Sequence, residues 1–304
     1  MKQRAGSLAV AAVAATAALI GHAEAGWRDD LGVFRIGVLA EPGAGQSVHG
    51  LARITDAYST VLAMPVEVFV AKDLVSLVDA QAAGRIEYAI YPATAYALAE
   101  RLCGCVEPVA APLGASGATG LRAVMIGRRG KADDVAKLEG ARLAMPRAGH
   151  AAIDFLVRGG LAGQGIDVEG RRATIVEADS VEAAEKRFLE GAADVVVGWE
   201  EAGMPQETAA GTATRLVAAG ADPADLVVIW RSEPVRYGPH TLRSDLDPEV
   251  RQLLLPFLLG LRDVRPDIYD LVETHHGGGY AEVGQSDYAS ALAMVDHIAA
   301  TTDP

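Results

Sequence analysis

Two stretches of the chain set out apolar and polar positions in the same order. The first starts at Asp79, follows a helix-like spacing to Gly84, and after two further residues places Glu87 before Tyr88, Ala89, Ile90 and Tyr91. It then passes through Pro92 and Ala93 to Thr94 and Tyr96. The second starts at Arg187, reaches Gly191, and after two residues places Asp194 before Val195, Val196 and Val197. It then passes through Gly198 to Trp199 and Glu200. A glycine after a helix is the expected left-handed stop. A short apolar run between turn signals reads as a buried parallel strand. Each copy predicts helix, stop, strand, and a loop with aromatic and polar residues, where open α/β sheets place ligands. Two such units about a hundred residues apart predict two similar lobes, each giving one wall of a cleft.

The rest of the pattern fits that scheme. Phe34 to Ala40 predicts a first strand, breaking into a loop from Glu41 to Ser47 that opens a helix through about Leu62. Met64 to Val70 reads as a second strand, and Asp73 as the cap of the helix that ends at Gly84. After a helix from Thr94 to Leu102 and a strand from Val106 to Pro112 comes a small-residue linker, Gly114 to Gly120. Leu121 to Ile126 then starts the second lobe. Its series is a helix at Asp133 to Leu138, the strand Arg142 to Met145, the loop Pro146 to His150 opening a helix to about Gly159, and the strand Thr174 to Glu177. Ser180 caps the helix of the second copy, and Leu226 to Trp230 is a strand heading back through Arg231 to Pro234. Asp247 opens a long apolar helix to about Leu261, and Ser286 caps a last one ending near Ile298. Strands alternating with helices predict an α/β protein with mostly parallel sheets. The expected division is 1–25 outside the fold, 26–118 and 233–304 in one lobe, and 119–232 in the other.

Residues 1–25 look like an export signal. Lys2 and Arg4 precede an apolar run from about Leu8 to Ile20, and Ala23-Glu24-Ala25 gives a small-x-small cleavage site. The apolar run is shorter than the ~20 residues that cross a bilayer, so cleavage after Ala25 and a periplasmic protein are expected. The formal net charge is −13. Removing Lys2, Arg4 and Glu24 takes away a net +1 and leaves −14. Such a surface repels nucleic acid and anionic lipid. It does not exclude an anionic ligand, which single arginines and local dipoles control. Aromatic residues make up only 5% of the chain, so those gathered at strand ends stand out.

Cys103 and Cys105, separated by Gly104, are the only cysteines. They admit three readings: a reduced pair of small residues at a helix end, a tight disulfide, or half of a soft-metal site. His275-His276-Gly277-Gly278-Gly279 is expected to be a flexible surface loop, because adjacent histidines diverge and seldom share one ion. No metal and no cofactor are expected.

In order and spacing, several of these segments resemble the periplasmic phosphate/phosphite/phosphonate-type binding proteins of ABC transporters. The segments are Ile36 to Leu39, Gly84 to Tyr96, Gly191 to Val197, Val228 to Pro234, Gly238-Pro239 and Asp245 to Glu249. The resemblance covers nearly the whole chain after residue 25 and implies a two-lobed type II periplasmic binding fold. It implies a Ser/Thr-rich turn ending in Gly at a helix N-terminus of the second lobe, whose hydroxyls and N–H groups hold an oxyanion. The matching segment here, Pro146 to His150, keeps the glycine, lacks the hydroxyls, and has Arg147 and His150 instead. Arg147, Gly149 and His150 are therefore candidate ligand residues, the first through a bidentate guanidinium. Tyr91, Thr94 and Tyr96 are candidates on the first lobe, together with Ser47 beside Gln46. Trp199 and Glu200 are candidates at the end of the second-copy strand, where an acidic residue suits a ligand bearing an ammonium group.

The resemblance implies a binding protein that captures a small solute by hinge closure and docks as a monomer on a membrane permease, with no covalent chemistry. The chain has no Gly-x-Ser-x-Gly and no His-Glu-x-x-His. A phosphonate- or phosphite-like oxyanion is the first expectation. A metal chelate, a cationic organic solute, or a sensor or enzyme on the same fold are the alternatives.

Overall fold

The computed structural model describes residues 26–40, 49–135, 138–147, 157 and 173–302. The first sheet contains β1 (Phe34–Leu39), β2 (Val66–Ala71), β3 (Tyr88–Ile90), β4 (Val106–Gly114), β11 (His240–Arg243) and β12 (Gly277–Glu282), in the order β12-β4-β11-β3-β1-β2. The second contains β5 (Gly120–Arg128), β6 (Arg142–Pro146), β7 (Thr174–Ala178), β8 (Val195–Ala202), β9 (Leu226–Arg231) and β10 (Val235–Arg236). Its path runs β10-β5-β8-β6-β7, with β9 beside β5. The chain changes sheets between Gly114 and Gly120 and returns between Arg236 and His240. The result is a two-lobed α/β protein.

Each sheet is mixed rather than mostly parallel. β1 pairs with β2 and β3 in parallel, and β6 with β7 and β8 in parallel. The strands that enter from or lead to the other lobe, β5 and β11 among them, pair antiparallel. A strand that arrives from the far lobe has no crossover helix to turn it round, so it runs against its neighbour.

Helices cover both faces of the first sheet. On one face α2 (Leu51–Leu62) buries Ile54, Ala57, Tyr58 and Leu62, spaced along one helical stripe. It meets Val250, Leu254 and Leu258 of α7 (Pro248–Val264), with α8 (Pro266–Val272) alongside, over Phe34 and Ile36. On the other face α3 (Leu74–Ala82), α4 (Ala93–Cys103) and α9 (Ala289–Thr302) pack over Ile86, Tyr91 and Ala111. The short α1 (Trp27–Leu31) is held through Trp27 Nε1 and Arg28 Nη2, each 2.8 Å from Glu249. In the second lobe α5 (Val181–Leu189) and α6 (Thr212–Ala218) cover Val124, Ile126 and Val196 with Phe188 and Leu216. The opposite face carries Met125, Leu143 and Val197.

Asp73 and Ser180 cap their helices as expected, accepting from Ser76 N at 2.7 Å and Ala183 N at 3.1 Å. Three expectations fail. Gly277 to Gly279 is not a loop but the start of β12, paired with β4 beside the crossover. Ser286 lies inside a 3₁₀ turn, Gln285–Tyr288, whose cap is Gly284. The second-copy strand does not end at Trp199 and Glu200: β8 runs on to Ala202 because β5 supplies a long antiparallel partner.

Candidate functional site

The parallel strands of the two sheets end where a cleft between the lobes is expected. At the end of β3, Tyr91 N donates to Pro239 O at 3.1 Å, tying this turn to the returning crossover. The Tyr91 ring is buried and its hydroxyl donates to Leu77 O at 3.3 Å, so the side chain points into the core. Burial pushes its phenol well above the ordinary value. Thr94 is half-buried in the first turn of α4, and its hydroxyl has no partner among the described residues. It is not the cap, which is Pro92. Tyr96 is wholly buried, with its ring edge-on to Tyr288 at 4.8 Å between centroids. Burial first, and then the Glu100 and Glu107 carboxylates, raise its phenol to about 12. The structure therefore places Tyr91 and Tyr96 in the lobe core and leaves only Thr94 of this trio partly open to solvent. The reason is geometric: Tyr91 lies between β3 and α4, and Thr94 and Tyr96, two residues apart on α4, point about 200° apart around the helix, so the three cannot share one face.

On the second lobe, Arg147 follows β6, with its N–H donating to Ala178 O at 2.8 Å. Its side chain is 59% exposed, with Nη2 2.8 Å from Asp179 Oδ1 and Nε 3.6 Å from Glu177 Oε2. Ser47, Gly149 and His150 lie outside the described residues. Trp199 and Glu200 sit inside β8 rather than in a loop. The Arg215 guanidinium lies 4.5 Å from the Trp199 ring centre, and Trp199 N donates to Thr212 Oγ1 at 3.2 Å. Glu200 is 8% exposed; its Oε1 accepts from Arg231 Nε at 2.8 Å and lies 3.6 Å from Arg122 Nε. Two arginines already neutralise this carboxylate, so it is not held ready for an ammonium group.

The end of β8 is instead fastened to both crossovers. Thr119 N donates to Ala202 O at 2.9 Å, and Tyr237 N to Thr119 O at 3.1 Å. Ser116 Oγ donates to Glu201 Oε1 at 2.9 Å. Sequence reading passed over Ser116, Arg122, Glu177, Asp179, Arg231 and Tyr237. Arg122 was the one with a signal, a charge inside an otherwise apolar strand; the carboxylates beside Arg147 had none.

Cys103 and Cys105 are joined by a disulfide. Gly104 between them takes the left-handed conformation at φ 57°, which brings their Cα atoms to 5.0 Å, within the ordinary range for a bridge. His276 is engaged with Glu273 Oε1 at 3.0 Å and with the Tyr237 ring at 4.0 Å. Among the described residues no group of three or more His, Cys, Asp or Glu is arranged to hold a metal ion, and no helix is long and apolar enough to cross a membrane.

Solved structures with the same architecture include XAC2383 from Xanthomonas citri bound to ATP, at 16% identity and a TM-score of 0.59. That match covers 90% of this chain and 100% of the other. PhnD1 from Prochlorococcus marinus in complex with methylphosphonate matches at 12% identity and a TM-score of 0.50, covering 88% of this chain and 98% of the other. Transferrin 1 from Manduca sexta matches at 13% identity and a TM-score of 0.55, covering 88% of this chain and 46% of that one. These likenesses concern the fold. No curated protein matches the chain by sequence. The family model for the periplasmic substrate-binding protein of phosphonate ABC transporters matches residues 36–288. With strands, crossovers and both sheets inside that span, the chain belongs to this family of periplasmic substrate-binding proteins.

Proposed function

We propose that the protein captures a small phosphonate- or phosphite-like oxyanion in the periplasm and delivers it to a membrane permease. The observation that carries this reading is the family match over residues 36–288. Lobe one is taken as 26–118 and 237–304 and lobe two as 119–236, the return falling after β10 and not after Ser232 because Val235 and Arg236 pair with β5, and residues 1–25 as a signal cut after Ala25. A monomer is sufficient for this role. The solute sits between the strand ends, with Thr94 and Ser47 on one wall and Arg147, Gly149 and His150 on the other. Trp199 borders the second wall, while Tyr91, Tyr96 and Glu200 support the walls from behind. Helix N-termini leave N–H groups unpaired, and these favour anions. Closure follows if the closed form binds the solute more tightly than the open one.

One observation favours a second reading. Arg147 is flanked by Glu177 and Asp179, so this corner carries more negative than positive charge and suits a solute that also bears an ammonium group. Calorimetry with methylphosphonate, phosphite and 2-aminoethylphosphonate separates the two. For an anionic solute, Arg147→Ala weakens binding by about 2–5 kcal/mol, roughly 30- to several-thousand-fold, because a charge-assisted pair inside a closed site is lost. Asp179→Asn then strengthens binding or leaves it alone. For an aminated solute, Asp179→Asn weakens it. Binding unaffected by both changes would remove the solute from this corner.

A further inference from the structure

In the second lobe Trp199 is braced by residues that the solute site proposed above does not include. β8 runs parallel to β6 and, among the described residues, pairs with it only at Val195 and Val196. Beyond that point the start of α6 takes the place of β6. Glu200 bridges to Gly211, and Trp199 N donates to Thr212 Oγ1 at 3.2 Å. Trp199 therefore sits at the same end of the sheet as Arg147, which follows β6. Thr212 is fully buried, and a Cβ at Gly198 would overlap its Oγ1, so this close approach depends on the glycine.

The Arg215 guanidinium lies over the Trp199 ring, its central carbon 4.5 Å from the ring centre. That guanidinium is itself fixed. Its Nε donates to Glu185 Oε2 at 3.0 Å, and its Nη2 donates to Glu185 Oε1 at 2.5 Å and to Thr212 Oγ1 at 3.1 Å. Glu185 is 6% exposed, so a buried carboxylate and a buried hydroxyl hold the fork. Exposed ion pairs hold long side chains loosely, whereas a bidentate guanidinium with buried partners keeps one plane. Elements α5, α6 and β8 thus converge on one indole.

Trp199 itself stays half-buried. The face of an indole offers broad apolar area and no hydrogen-bond donor. It suits the organic substituent of a solute rather than its phosphorus-bound oxygens. We propose that Arg215 is a positioning residue that holds the Trp199 indole in the cleft wall. Through that indole the site prefers an oxyanion carrying an organic substituent over one without. The proposal rests on the reading of Trp199 as part of the solute wall.

Calorimetry with ethylphosphonate and phosphite tests it. The unaltered protein is expected to bind ethylphosphonate more tightly, and Trp199→Ala to reduce that preference. Arg215→Lys keeps a cation for Glu185 but loses the planar stack. It should narrow the preference about 3- to 10-fold while phosphite affinity moves by no more than about twofold. In the Trp199→Ala background Arg215→Lys should narrow it no further, which separates positioning from a general loss of stability. Arg215→Gln combined with Glu185→Gln leaves no buried charge unpaired and should act as Arg215→Lys does. Circular dichroism confirms that each variant is folded. The proposal is overturned if the unaltered protein does not prefer ethylphosphonate, or if both Arg215 variants keep the full preference. It is overturned equally if they narrow it as much without Trp199 as with it. If neither solute binds the unaltered protein, the solute reading falls and takes this proposal with it; the other adverse results leave that reading standing.

Discussion

The two repeated stretches build the same joint and then part ways. In the first lobe Gly84 takes φ 68° and Arg85 N donates to Ala80 O at 2.8 Å; in the second Gly191 takes φ 75° and Ala192 N donates to Arg187 O at 2.9 Å. Glu87 accepts from Arg35 N at 2.6 Å, and Asp194 from Arg142 N at 3.1 Å, each acid holding the first residues of the neighbouring strand. Beyond that point β3 is three residues long and turns at Pro92 into α4, whereas β8 is eight residues long and runs into the hinge. The acids differ too. Glu87 is buried, with Arg35 Nη1 at 3.7 Å, and burial raises its carboxyl. Asp194 receives Arg142 Nε and Nη2 at 3.0 and 2.9 Å, and those bonds lower its carboxyl. A shared sequence cadence thus fixes the local joint, while depth and neighbours decide its electrostatics.

The largest test of the two-lobe comparison is Phe188→Ala. Phe188 is fully buried in the second-lobe core, and its truncation should cost about 3–5 kcal/mol. Amide exchange should quicken in β6 and β8 while β1 and β2 stay protected. Equal loss in both lobes would mean that they unfold as one unit.

Acid should separate the lobes next. His240 in the first-lobe core is fully buried beside Tyr88, and burial lowers its imidazole to about 4. The unfolded chain takes up this proton near 6.5 and the folded chain only near 4, so stability falls as the pH drops through that window. The loss is on the order of 2–3 kcal/mol, and no buried histidine is found among the described residues of the second lobe. Glu87 works the other way, because its raised carboxyl makes protonation a relief. Urea unfolding at pH 7 and pH 4.5, followed by amide exchange, should show the first lobe losing more; the reverse order would break the comparison.

Smaller effects probe the joints. Gly84→Ala and Gly191→Ala should each cost about 1–2 kcal/mol, because a Cβ is disfavoured in the left-handed region. The first should cost more, since its Cβ would overlap the Arg243 guanidinium while Gly191 faces open space. Thermal melts that rank them the other way would show that Arg243 moves aside at no cost. At the smallest scale, Asp194→Asn should lose about 1 kcal/mol at pH 7. That contribution is present above the ordinary aspartate range and fades as the pH falls through the lowered carboxyl of the folded state. Glu87→Gln should stay within about 0.5 kcal/mol, since the amide oxygen still accepts from Arg35 N and the buried charge is gone.

Much of the fold was readable from local chemistry. The glycine stops, the Asp73 and Ser180 caps, the apolar runs of β1, β3, β6 and β8, and the small-residue linker after Gly114 each act over a few residues. The order and spacing of these segments also carried the family. What sequence alone could not decide depends on partners far along the chain. Whether the strand of Val195 to Val197 ends at Trp199 and Glu200 or runs to Ala202 rests on β5, more than seventy residues earlier. The short strands β10, β11 and β12 exist only because β5 and β4 offer edges to them. Glu200 reads as an open carboxylate until Arg122 and Arg231 are brought against it from neighbouring strands. Tyr96 likewise reads as a cleft aromatic until α4 turns it inward towards Tyr288, Glu100 and Glu107. Backbone stops and caps are settled by nearest neighbours, whereas the charge and direction of a side chain are settled by whatever the tertiary structure packs beside it.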